Sequence, residues 1–467
     1  MKSRAYLLLV LLLAAASSAL ADSRPEVLTL DAVLGRVEAN HPKLRGAQLA
    51  NRIASAKVLE KQGAFDPGVS LATTYETYNT SSSPGKEYAY FSNRGTVFQT
   101  TPSGIKWEAG IVNNQGRVKS PNSSTGDVGE FFVEASIPLL RGLNINEKSV
   151  ALQQAQIMEE QVRFDYRQLR LAVLLNAGSS YYDWVTAVVQ REIVEENLQL
   201  AVERAEQVRT SIEAGDKPRI DQVEADREVE NRREALIKAE RIVQKAALKL
   251  ALYLWNSSGQ ADAVPTTEMA PRSLPSGRKV SESEVAELQV EALQSRPELR
   301  RLDLQKDIIS LDKDLAANQR LPQLDLKLGP GYDAGNQGIG FNFKAGIQMI
   351  IPLATRAADG REMAASIKLD KLSLDQIEMV RRILLEVQDA ASEVQTTALR
   401  LERALEIYRL ARELEEAERL KFRLGDSSLF LVNTRERSTV AAALKVLEIR
   451  NEQAQSLLLL ETVSGKL

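Results

Sequence analysis

Asn40-His41-Pro42-Lys43-Leu44-Arg45 and Ser295-Arg296-Pro297-Glu298-Leu299-Arg300 are two versions of one phrase, and they decide how this 467-residue chain is read. In each, a proline stands where one helical stretch closes and another opens, because proline suits the first turn of a helix and disfavours helix just before it. Pro67 and Pro322, which end the helices so begun, lie the same distance apart. Further pairs follow in the same order along the chain: Ile137-Pro138-Leu139 with Ile351-Pro352-Leu353, and Gly215-Asp216 with Gly425-Asp426. Pairs kept in order indicate a duplicated unit. The first repeat is 22–255 and the second 281–467. Residues 256–280, with Pro265, Pro271 and Pro275, read as a linker. Each repeat runs helix, strand segment (about 67–140 and 322–353), then a long helical hairpin.

The start of the chain points to export. Lys2 and Arg4 precede an apolar stretch from Tyr6 to Ala16, and Ala19-Leu20-Ala21 ends a run of small residues before Asp22. That layout is a secretory signal peptide over 1–21, too short in its apolar core to span a membrane. The chain has no cysteine. An N-terminal lipid anchor, which needs one, is therefore not expected, and disulfides play no part in the fold. Beyond the signal no apolar run is long enough for a transmembrane helix, so a membrane segment would have to be built from strands. The net charge of −3, with both signs interleaved, gives no reason to expect nucleic acid.

Composition favours elongated helices over compact domains: aromatics are 5% and charged residues 26%, and long stretches are rich in Ala, Glu, Leu, Arg and Gln. Val194, Leu198, Ala201, Ala205, Val208 and Ile212 step by alternating fours and threes. Val229, Leu236, Val243 and Leu250 recur every heptad, as do Val440, Leu447, Ala454 and their neighbours in the second repeat. This period packs helices along their length. A helix of about 70 residues, expected over 144–214 and again over 357–424, is roughly 105 Å long at 1.5 Å per residue. Shorter helices of about 35 residues, stacked in pairs, would match it.

The strand segments carry Tyr75, Tyr78, Tyr88, Tyr90, Phe91, Trp107, Phe131, Phe132, Tyr332, Phe341 and Phe343, and they alternate apolar with polar, as in Val69-Ser70-Leu71-Ala72-Thr73. That is the pattern of outer-membrane strands with interfacial aromatics. About four strands per chain are expected. Such a chain cannot close a barrel alone, since these barrels start at eight strands; a ring of three copies would give about twelve strands and twelve helical columns. The stretch from Pro67 to Pro138 is much longer than that from Pro322 to Pro352. It contains Thr101-Pro102-Ser103-Gly104 between two candidate strands, so the excess is either an external loop or additional wall.

With these features the mature chain resembles the TolC-like outer membrane efflux protein family, on the doubled proline starts, the Ile-Pro-Leu strand exits and a Gly-centred tip in each half. The fold class is thus mainly α with a β-barrel portion: a long coiled-coil α-helical barrel plus a trimeric transmembrane β-barrel. The resemblance implies a homotrimer in outer-membrane lipid, acting as the passive exit duct of a tripartite efflux or type I secretion system. It implies two protein partners, a periplasmic adaptor (membrane fusion) protein and an inner-membrane transporter, and neither cofactor nor catalytic residue nor metal.

The resemblance also points to a gate. Gly215, Asp216, Lys217, Arg219, Gly425 and Asp426 form the hairpin tips, where adaptor contact is expected. The glycines suit the left-handed position after a helix, Pro218 the next helix's first turn, and Asp426, Ser427 or Ser428 its cap. Family members hold the aperture shut with a tyrosine and an arginine at positions that here are Phe422 and Ser427. Asp221 matches the first-half acidic position, while Leu431 and Thr434 stand where some members carry acidic rings. A less cation-selective constriction follows, closed partly by Phe422 and Leu431, with Lys217, Arg219 or Arg423 available to pair with Asp221.

Two rival classes are weighed against this. An enzyme would have to use His41, the only histidine, whose repeat counterpart is Arg296; a capping or packing role suits it better. A periplasmic coiled-coil adaptor also carries long helical hairpins. It would have one hairpin between β-segments, though, whereas here two hairpins are each preceded by aromatic strands.

Overall fold

The computed structural model describes residues 27–120, 122–275, 277–336 and 338–467. The expected signal peptide at 1–21 lies outside the described residues. In chain order the elements are α1 (Leu30–Asn40), α2 (Pro42–Gln62), β1 (Gly68–Thr80), β2 (Ser83–Thr100), β3 (Lys106–Gly116), β4 (Gly129–Pro138), α3 (Glu147–Glu213) and α4 (Ile220–Ala251). The second half gives α5 (Glu282–Ser295), α6 (Pro297–Gln319), β5 (Gln323–Ala334), β6 (Gly340–Ile350), α7 (Arg356–Arg423) and α8 (Leu429–Val463). The proline phrases fall between paired helices as expected. His41 ends α1, its backbone N–H donating to the Val37 carbonyl, and its Nδ1 accepts the Lys43 N–H at 3.3 Å. The imidazole is buried and stacks on Tyr253, and burial lowers its pKa. It is a neutral cap and packing residue.

Two compact units cut across the two repeats. One comprises the chain up to Ala47, Arg167–Arg296 and Arg381–Leu467; the other comprises Gln48–Tyr166 and Pro297–Val380. In the first unit, small residues set the helix spacing. Ala201, Ala205 and Val208 of α3 pack on Ala225 and Val229 of α4 and Leu429 of α8, the seam positions that the heptads mark. Residues 256–280 pack rather than dangle: Leu274 and Val280 are buried, and Met269 O accepts the Leu28 N–H at 2.8 Å. Arg170 makes a two-pronged ion pair with Glu38 and also donates to the Leu467 carbonyl at 2.6 Å.

The second unit holds a single antiparallel meander in the order β1-β2-β3-β4-β5-β6. Among the described residues six strands replace the four expected. The long segment of the first half forms four strands and its counterpart two, so the excess adds two strands to the sheet rather than a loop. The reason lies in Thr101-Pro102-Ser103-Gly104. This is a tight turn: Gly104 takes φ +91°, and a Cβ there would lie 2.3 Å from the Gly142 carbonyl oxygen. Only glycine accommodates both demands. Ser103 O accepts the Asn144 N–H at 3.1 Å and Pro102 O accepts Asn146 Nδ2 at 3.0 Å, so the turn is fixed to the segment leading into α3.

Register gives the sheet two different faces. Leu71, Gly95, Ile111, Phe131, Tyr332 and Phe341 pair in one line across all six strands. Val69, Val97, Ala109 and Val133 form the next line on that face. The opposite face is polar: Arg94 pairs with Glu108 at 2.5 Å and lies 3.8 Å from Glu134, and Lys106, Lys327 and Lys344 line the same surface. Two-residue alternation puts each set on its own side.

Candidate gate at the hairpin tips

Both helical hairpins turn in the same way. Gly215 and Gly425 take φ +85° and +86°. Behind them the Asp216 N–H donates to Ser211 O and the Asp426 N–H to Lys421 O, each at 2.9 Å, while the glycine N–H groups donate to Ile212 O and Phe422 O. These paired bonds satisfy the last carbonyls of α3 and α7 in Schellman fashion. The α8 side is capped by Ser428, whose hydroxyl accepts the Leu431 N–H at 3.3 Å. Arg219 precedes α4 without a side-chain cap, and Pro218 O accepts the Asp221 N–H at 3.1 Å.

Phe422 is the tip residue that joins the hairpins. The Lys217 ammonium lies 3.9 Å from its ring centroid, and the ring packs against the Ala201–Leu429 cluster. Lys217 therefore goes to the aromatic face, and no ion pair reaches Asp221 from Lys217, Arg219 or Arg423 among the described residues. Ser427 donates to Glu418 of its own hairpin at 2.5 Å. Leu431 and Thr434 lie on the exposed side of α8, Thr434 returning its hydroxyl to Phe430 O at 2.8 Å. Within one chain, then, Lys217 and Phe422 come together, whereas Asp221, Leu431 and Thr434 do not join them.

Sequence reasoning missed a charged node farther up the helices. Glu436 of α8, only 1% exposed, receives three arginines. Arg204 of α3 donates to Glu436 at 2.7 Å and to Asn433 at 3.1 Å, Arg232 of α4 donates to Glu436 at 2.8 Å, and Arg419 of α7 donates at 3.0 Å. Glu228, also buried, takes Arg232 at 2.9 Å and faces Arg437 at 3.0 Å. The four long helices α3, α4, α7 and α8 meet at one carboxylate. Burial pushes the Glu436 carboxyl up, but Arg204 and Arg232 overcome it and hold the pKa at about 2. A signal was present: Asn433 and Glu436 fall on the stripe of α8 that Leu429 and Val432 mark as inward, and Glu228 and Arg232 interrupt the α4 seam.

Long antiparallel helical hairpins and an antiparallel sheet with one apolar face are the elements this chain has to work with. Residues 33–254, a little under half of the chain, match the family model described as Outer membrane efflux protein. No curated protein matches the sequence. Among solved structures, the outer-membrane channel OprN is 15% identical with a TM-score of 0.67, covering 95% of this chain and 93% of its own. The channel CusC is 14% identical with a TM-score of 0.69, covering 95% and 92%. The outer membrane protein VceC of Vibrio cholerae is 13% identical with a TM-score of 0.67, covering 93% and 96%. At such identities the likeness is one of fold.

Proposed function

We propose that this protein is the passive outer-membrane exit duct of a tripartite efflux or type I secretion assembly, working as a homotrimer. The observation that carries this reading is the sheet. One face is apolar across every strand and the other is charged, which suits lipid outside and water within, and its two end strands are open for pairing with further copies. The helical hairpins would then form the periplasmic tunnel, and their tips would meet an adaptor protein that links the duct to an inner-membrane transporter. The two repeats, 22–255 and 281–467, each supply one hairpin to that tunnel.

The gate is read as a latch with two parts. Lys217 on Phe422 holds the tips, and Glu436 with its arginines ties the same helices about two turns above Leu429. With Leu431 and Thr434 in place of acidic rings, the constriction should be weakly cation-selective, Asp221 supplying what selectivity there is. Fractionation tests the duct: a heat-sensitive trimer in the outer membrane that conducts in planar bilayers is expected. A soluble chain, or one held in the inner membrane, would overturn it. Strong cation selectivity that survives Asp221→Asn would overturn the reading of the constriction.

A further inference from the structure

The strand inventory carries a consequence for the width of the wall. We infer that three copies close an eighteen-strand barrel, with β6 of one copy paired to β1 of the next; this rests on the trimeric duct reading. Three observations support it.

First, every strand is built as wall. The apolar line from Leu71 to Phe341 crosses all six strands without a break, and so does the change to polar residues on the other face. Strands lying outside the bilayer would have no need of a lipid face in register with the rest. Phe91, Val97, Trp107, Ala109 and Ile111 of β2 and β3 are as apolar on that side as the residues of β5 and β6.

Second, β2 and β3 run the full height of the wall. Their turn is bonded to Asn144 and Asn146, at the end of the sheet where β4 leaves for α3. At that same end the Leu139 N–H donates to Leu324 O at 2.7 Å, beside the entry to β5. The hairpin thus returns to the helical end, as a wall strand must, rather than folding over the outer loops.

Third, the edges demand a strand. β1 has 13 residues and β6 has 11, and among the described residues each pairs on one side only. Their apolar residues stand open in the single chain: Leu71 is 85% exposed, Ile347 73% and Phe341 70%. Long, apolar, unpaired edges invite another strand, and closing the ring removes them. Because the meander has an even number of strands, β6 of one copy runs antiparallel to β1 of the next, the same pairing used throughout the sheet. The occupant of each edge is therefore a second copy of this chain.

Barrel diameter grows roughly linearly with strand number, so eighteen strands make a bore about one and a half times that of twelve, in the range where porins keep an open aqueous channel. Size selection would then fall to the helical tips and not to the membrane segment.

The test uses the full chain in outer-membrane vesicles and exploits its lack of cysteine. Ser70→Cys, Ala72→Cys and Thr74→Cys on β1 are each combined with Asn342→Cys, Gly346→Cys or Gln348→Cys on β6. Oxidation is expected to give a covalent ladder ending at three copies for the pairs in register. Electron cryomicroscopy of the purified protein should show eighteen strands around a threefold axis. Twelve strands, from two copies or with β2 and β3 outside the wall, would overturn the inference and leave the duct intact. A chain that neither inserts nor forms a ring would overturn the duct reading as well.

Discussion

Lys217 places its ammonium 3.9 Å from the centre of the Phe422 ring, and so the tip of one hairpin is held by the tip of the other. A cation over an aromatic face contributes about 0.5–1 kcal/mol at an exposed site and more where water is excluded. The same positions cannot make a hydroxyl–carboxylate contact, since Phe422 has no hydroxyl.

Phe422→Ala should therefore loosen the closed state, because it removes both the ring contact with Lys217 and the packing on the Ala201–Leu429 cluster. A rise in spontaneous opening of about tenfold is expected from a loss near 1.4 kcal/mol, read as channel events in a planar bilayer. Phe422→Tyr keeps the ring and should leave the opening frequency within about twofold. Equal effects from both variants would show that the ring does not hold the tips.

Glu436→Gln should cost more. Removing the shared carboxylate from a buried node leaves Arg204 without a countercharge, while Arg232 keeps Glu228 and Arg419 keeps Glu415, a loss of about 3–5 kcal/mol. Hydrogen exchange along 429–439 should accelerate strongly, while exchange in the sheet stays unchanged. A uniform change across the chain would argue against a local node.

The same carboxylate sets a pH dependence. Its pKa is held at about 2, below the ordinary 4.5, so its contribution is complete above about pH 4.5 and is lost as pH falls through 2. Exchange along 429–439 should be flat, after correction for intrinsic rates, from pH 8 to 5 and should rise below 4. In Glu436→Gln that acid-induced rise should be absent.

Much of this was legible in the sequence, and the reasons divide cleanly. Helix limits, the His41–Pro42 and Arg296–Pro297 junctions and the glycine tips could be read because proline, glycine and a heptad period act locally. The strand count could not, since Thr101–Gly104 reads equally well as a loop or a turn until its bonds to Asn144 and Asn146 are seen. Glu436 was overlooked for a related reason. One acidic residue on a long charged helix looks solvated unless the arginines of three other helices are brought to it, and only tertiary packing does that.

Gly104→Ala examines the hairpin directly. The substitution strains a φ of +91° and drives a methyl against the Gly142 oxygen. A cost of about 1–3 kcal/mol is expected, seen as a lower yield of heat-resistant assembly, whereas Gly346→Ala on β6, with open space around its Cβ position, should assemble normally.

Charge placed on either face of the sheet should report which side meets lipid. Ile111→Arg, on the apolar line, should destabilise by about 2–4 kcal/mol if it sits near the bilayer midplane. Ser92→Arg, on the polar face, should be tolerated. Similar refolding midpoints for the two variants in lipid vesicles would contradict the assignment of faces.

The uneven split of strands, four from one repeat and two from the other, also bears on how such a protein can change over evolutionary time. An antiparallel ring can gain or lose wall only in whole hairpins, because a single added strand would reverse the direction of every later one. On the reading of three copies as one barrel, a hairpin added between Pro67 and Pro138 would alter calibre while the helices and their Arg–Glu node stay as they were. Bore and latch are thus separately heritable, and a lineage could widen its exit without renegotiating the parts that open it.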